Sequence, residues 1–190
     1  MTSDQPVTTD LVATVQAEMA GVLDRLDRSA LEQAAAVLDR APRVFVAGEG
    51  RSGFMGKAFA MRLMHLGLSV HVVGETTTPA VQETDTLVAV SGSGTTAGTV
   101  RAAEKAHGLG ATVLAVTTDP DSPLAAAADQ VLVLPAATKY RRADEAPTIQ
   151  PLSSLFDQTT HVTLDVVCLE LAQRRGVDNA GAFRAHANTE

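Results

Sequence analysis

The chain has 190 residues with fifteen basic and twenty-two acidic side chains, a formal charge of −7, so it suits one domain with a sizeable core and has no room for separate substrate and cofactor domains. The acidic balance excludes the basic footprint of a nucleic-acid-binding surface, and any anionic ligand must be held by local geometry rather than by the overall field. No run of about 18 apolar residues could span a membrane, and "MTSDQPVTTD" has neither the basic region nor the apolar core of a signal peptide, which predicts a cytoplasmic protein with no membrane partner.

In chain order, residues 10–40 place Leu11, Val15, Met19, Val22, Leu23 and Leu26, then Leu31 and Leu38, at three- and four-residue steps with charges between them. This spacing predicts one or two amphipathic helices. Five short β-branched runs follow: "RVFVAG" (43–48), "LSVHVVG" (68–74), "TLVAVSG" (86–92), "ATVLAVTT" (111–118) and "QVLVLP" (130–135). They are apolar almost throughout, as strands buried on both faces are.

Helical segments at 54–66, 95–108 and, briefly, 122–128 separate most of these runs, and a long helix is expected at 153–175. Such alternation predicts a doubly wound α/β fold, a three-layer α/β/α sandwich around a five-stranded parallel sheet with right-handed crossovers. The stretch 136–152, "AATKYRRADEAPTIQPL", is long and irregular. Segments of that length inside a domain act as lids or binding loops, the alternative being a plain surface loop. The lone Cys168 falls in a helical pattern and reads as a core thiol without a disulfide.

Gly48, Gly50 and Gly53 in "VFVAGEGRSG" spell the G-x-G-x-x-G of dinucleotide-binding turns, and Glu75 stands where a ribose-binding acid would be sought. The third strand argues for another ligand, because it ends in a second glycine-rich turn loaded with hydroxyls, "SGSGTTAGT" (91–99). Neighbouring strands of an open parallel sheet share one crevice at their carboxyl ends, so Gly50, Arg51 and Ser52 can meet Ser91, Gly92, Ser93, Thr95 and Thr96 there. Short hydroxyl donors beside helix-terminal amides suit the three oxygens of a phosphomonoester better than a pyrophosphate. Ordinary helix capping is the competing reading of the same side chains. Arg51 suits either a phosphate, a sugar hydroxyl or a surface ion pair.

"GEGRSG" together with "SGSGTT" resembles the sugar isomerase (SIS) domain family, whose ligands are largely phosphosugars. "FAMRLMHLG", "VGETTTP", "QPLSSLF" and the terminal "HAN" narrow the resemblance to the 6-phospho-3-hexuloisomerase family, over about residues 40–190. The resemblance implies an SIS domain at 41–190 with flavodoxin-like strand order, and an N-terminal helical arm at 1–40 packing on the domain or on a partner subunit. It also implies the interconversion of 3-hexulose 6-phosphate and fructose 6-phosphate through an enediol, in the ribulose monophosphate pathway. Neither metal nor nicotinamide is expected in that chemistry, which needs a proton-shuttling base, donors for the enediolate and exclusion of water.

For the site residues, the resemblance puts the base just after "QPLSSLF", where the family has Glu and this chain has Asp157 followed by Gln158. The spacing Ser154-x-x-Asp157 is also that of a capping box. His65 matches a family position, although beside Met64 and Leu66 it equally reads as a core residue. His186 matches the terminal "HAN", with Ala185 and Thr189 departing from the family's flanks. In related isomerases a histidine near the chain end enters a neighbour's site, which implies a homo-oligomer, dimer or tetramer, with sites near subunit interfaces. Thr76 and Thr77, with Thr78, are expected to donate to sugar oxygens, and Glu75 to bind substrate as well or instead to brace the loop or a subunit contact. A 3-hexulose-6-phosphate synthase is the implied pathway partner. Another SIS aldose–ketose isomerase and a non-catalytic phosphosugar-binding module are the other readings.

Overall fold

Alternation along each strand decides how the layers form. In β1 (Val44–Gly48), Val44 and Val46 join one apolar cluster while Phe45 and Ala47 join a second on the opposite face of the sheet. A strand whose side chains point both ways must be covered on both faces. The computed structural model describes residues 10–143 and 145–189, and in it β1 pairs in parallel with β2 (Val70–Val72) on one side and β3 (Thr86–Val90) on the other. Strands β4 (Thr112–Thr117) and β5 (Gln130–Val133) complete an all-parallel sheet of order β2-β1-β3-β4-β5.

Helices α1 (Leu11–Leu23), α2 (Arg28–Arg40), α3 (Gly50–His65) and α6 (Ser154–Arg175) cover one face. Leu31, Ala34, Ala35 and Leu38 of α2 share a continuous core with Phe59 and Leu63 of α3 and with Leu164, Val167 and Leu171 of α6. Residues of the predicted arm are therefore part of this core. Helix α4 (Ala97–Gly108) and the single turn α5 (Pro123–Ala126) cover the other face, with Ala103, Ala106 and Leu124 packed on the sheet.

Three details differ from the sequence reading. Helix α3 opens at Gly50 rather than 54 because "GRSG" is itself the helix's first turn, with Gly50 at φ +59°, a conformation glycine adopts without a Cβ penalty. Strands β2 and β5 are only partly buried, since each sits at a sheet edge and has one neighbour. A short helix α7 (Asn179–Arg184), capped by Asp178 accepting from the Gly181 amide at 2.7 Å, was not expected.

Candidate active site

The chain leaves β1 toward β2 on one side and lies beside β3 on the other, so the carboxyl ends of β1 and β3 flank the point where the winding reverses. Crevices at such points are the standard ligand sites of open α/β sheets. Here the crevice is a cleft of about 220 Å3 lined by Glu49, Arg51, Ser52, Ser91, Gly92, Ser93, Thr96, Lys139, Leu152, Ser153 and Asp157. The first turns of α3 and α4 both open onto it, each with amides that lack intrahelical partners.

The hydroxyls bond to one another more than to the ends of the helices. Thr96 occupies the N-cap position of α4, yet its side chain makes no cap bond and instead pairs with Ser91, Oγ1 to Oγ at 2.9 Å. Ser93 Oγ accepts from the Thr95 hydroxyl at 3.0 Å and the Thr95 amide at 3.3 Å. Ser91 and Ser93 are buried in the turn, so their orientations are fixed before anything binds. Thr95 is exposed and supports Ser93 without lining the cleft.

Asp157 stands opposite this ring. The residue is 3% exposed, and its carboxylate accepts from Arg51 Nε at 2.9 Å and from Ser52 Oγ at 3.1 Å. The capping-box alternative is ruled out, because the N-cap of α6 is Ser153 and Asp157 reaches into the cleft instead. A carboxylate has about four lone-pair sites, so two donors leave it able to take a proton or a substrate hydroxyl. Arg51 is thereby an ion-pair partner and a cleft residue at once. Gly92 is what allows α6 to come this close: a Cβ there would lie 2.9 Å from a ring carbon of Phe156, the residue before Asp157.

Lys139 and Ser153 line the cleft although the sequence did not single them out. The Lys139 amide donates to Ser153 Oγ at 3.1 Å, joining the irregular 136–152 segment to the start of α6. Among the described residues Lys139 has no carboxylate at ion-pair distance; its ammonium lies 5.1 Å from the Tyr140 ring centroid. The signal was present in "TKYRR", a cationic cluster in an acidic chain. Arg142 pairs with Asp119 at 3.0 Å and Arg141 donates to backbone carbonyls, so among the described residues Lys139 is the cation of this cluster left over.

The other expected site residues gather elsewhere within one chain. His65 and His186 do meet, their rings stacked with centroids 5.4 Å apart. They sit at the far end of α3, about 21 Å from Arg51 along an axis that rises 1.5 Å per residue. Burial, followed by the charge of Arg62 and then His186, lowers the pKa of His65. Glu75 and Thr77 line a groove beside the β2 edge with Lys57, Met61 and Met64, and Thr76 is exposed on the same turn. Glu75 pairs with Lys57 at 2.8 Å, both about half exposed, a brace that solvent largely screens. No side chain of that turn reaches the cleft.

Known proteins resemble this chain in sequence and in fold. The model of the SIS domain family matches residues 37–163. The 3-hexulose-6-phosphate isomerase of Bacillus subtilis is 38% identical over 183 residues, covering 96% of this chain and 99% of its own. That of Mycobacterium gastri is 42% identical over 182 residues, covering 96% and 91%. A Methanococcus jannaschii protein, whose crystal structure infers a molecular function of 3-hexulose-6-phosphate isomerase, superposes with a TM-score of 0.82 at 28% identity, covering 94% of this chain and 98% of that one.

Proposed function

The chain belongs to the SIS domain family, and on that premise we propose that it is a 3-hexulose-6-phosphate isomerase, interconverting 3-hexulose 6-phosphate and fructose 6-phosphate. One observation carries the mechanistic reading: a buried carboxylate faces a ring of prearranged hydroxyls at two helix N-termini. The hydroxyls of Ser91, Ser93 and Thr96, with the orphan amides of α3 and α4, hold the phosphate, and Lys139 adds a second cation to a cleft whose Arg51 is paired with Asp157.

With the phosphate fixed, Asp157 takes the proton from C2 of the 3-hexulose and returns it at C3, while the carbonyl moves from C3 to C2 through the enediol. Arg51 and Ser52 hold the carboxylate in one rotamer and direct it. The Arg51 fork has donors to spare for the enediolate oxygens, where charge develops in the transition state.

The histidine pair and the "GETTTP" turn lie away from this cleft in one chain, and they serve catalysis by meeting the cleft of a neighbouring copy in a homo-oligomer. Phe54, Met61 and Met64 of α3 are exposed large apolar groups, the two methionines in the groove of that turn, the kind of surface that a second copy covers. Formation of fructose 6-phosphate from ribulose 5-phosphate and formaldehyde, with a 3-hexulose-6-phosphate synthase supplied, tests the reaction. Product above the rate without this protein is expected. Phosphosugar binding with no product would leave a binding module instead.

A further inference from the structure

The irregular segment 136–152 is held at both ends by the N-terminal helices, which lie mostly outside the residues that the family model matches. At its start Arg25, just after α1, donates through Nη2 to the carbonyl of Pro135 at 2.7 Å. At its end Glu18 of α1 accepts three hydrogen bonds: from Thr148 Oγ1 at 2.6 Å, from the Ile149 amide at 2.8 Å and from Gln150 Nε2 at 3.0 Å. Between these holds Arg141 donates to the carbonyls of Thr138, Gln150 and Leu152, folding the segment back on itself. Arg141 and Leu152 both sit at positive φ, +49° and +54°. Such a conformation in residues other than glycine persists only where the surroundings over-determine it.

What this strap carries is part of the cleft: Lys139 near one end, Leu152 and Ser153 at the other. We propose that Glu18, with Arg25 as the second hold, is a positioning residue, and that the N-terminal helical pair is a clamp that fixes Lys139 and Ser153 against the phosphate cradle. The inference rests on the phosphosugar reading of that cleft. Glu18 acts only through the strap and touches no cleft residue. Burial works to raise the Glu18 pKa, but the three strap donors and the charge of Arg141 outweigh it and hold the group below its ordinary value.

A double-mutant cycle separates positioning from plain stability. Glu18→Ala, Lys139→Met and the double variant of the full chain are compared for fructose 6-phosphate affinity by calorimetry and for kcat/KM, at a temperature where circular dichroism finds each folded. Each single change is expected to weaken binding on the order of tenfold, and the double variant to be no weaker than the weaker single, because both remove the same contact. Glu18→Gln, which keeps a carbonyl acceptor, should recover most of the loss. Multiplying effects, or parental affinity in Glu18→Ala, overturn the clamp. Should Glu18→Ala not fold, Thr148→Val removes a strap-side donor while leaving α1 intact and is read in the same cycle. A parent that binds fructose 6-phosphate without turning it over sinks the isomerase reading alone, since the affinity cycle still decides the clamp. Where the sugar phosphate does not bind, inorganic phosphate carries the same cycle, and a parent that binds neither overturns both.

Discussion

Asp157 concentrates the chemistry at the scale of single residues. It is a buried acid whose two oxygens are each engaged, one by a guanidinium and one by a hydroxyl, and charge-assisted bonds of this kind are roughly twice as strong as neutral ones. Replacement by Asn keeps the shape and one acceptor, so the fold and phosphosugar binding should stay close to the parent. Exchange of the substrate's carbon-bound proton with solvent should nevertheless fall by about 10²-fold or more, the usual share of a positioned general base. Asp157→Glu, which lengthens the arm by one methylene as in the family, should hold turnover equal or raise it where Arg51 can follow. Exchange in the Asn variant within about twofold of the parent would remove Asp157 from the proton path. The sequence left base and cap open here, because Ser154-x-x-Asp157 has the cap's spacing. The structure has Ser153 at the N-cap and Phe156 packed under Gly92, with Asp157 lining the cleft.

Among the elements, those set by local pattern were legible and those set by distant contacts were not. The five strands and the helices α3, α4 and α6 fall where apolar runs and periodicity place them, within a few residues, since buried parallel strands and amphipathic helices write their burial into the chain. The two glycine-rich turns of the cleft were legible as a pair because each follows a strand directly. The clamp on the strap was not: Glu18 and Gln150 lie 132 positions apart, and nothing near either announces the other. Helix α7 was missed because it is only six residues long and carries a glycine. Its packing against α3 now has a consequence for pH. His65 is 7% exposed beside His186, and its pKa is lowered by burial first and then by its cationic neighbours. The unfolded chain therefore binds more protons than the folded one as pH falls through the ordinary histidine value of 6.5 and below. The stability this group contributes is complete above that value and is lost toward acid. The melting temperature should drop between pH 7 and pH 5, and His65→Gln should drop less over the same window. Equal slopes in parent and variant would show that His65 is free to charge in the folded state.

Across the whole molecule the two clusters of expected catalytic groups lie at opposite ends of α3, the acid with the hydroxyl cradle at its start and the stacked histidines at its end. One chain cannot bring them together, since a 16-residue helix is a rigid spacer of about 24 Å. Two chains can, if the exposed faces that carry Phe54, Met61 and Met64 are buried against each other and the histidines of one copy reach the cleft of the next. That arrangement has a test independent of any structure of the assembly. Asp157→Asn spoils the acid and leaves the histidines; a His65→Ala, His186→Ala double variant does the reverse. Each alone should be nearly inactive. Mixed in equal amounts and allowed to exchange subunits, they should regain roughly a quarter of the parental activity in a two-fold assembly, because half of the dimers are hybrids and each hybrid rebuilds one of its two sites. If both groups were needed within one chain, no mixture would recover anything, and if the histidines were only core residues, their variant would be active before mixing. Recovery that tracks subunit exchange, measured in the same samples, therefore distinguishes a site shared between copies from both alternatives.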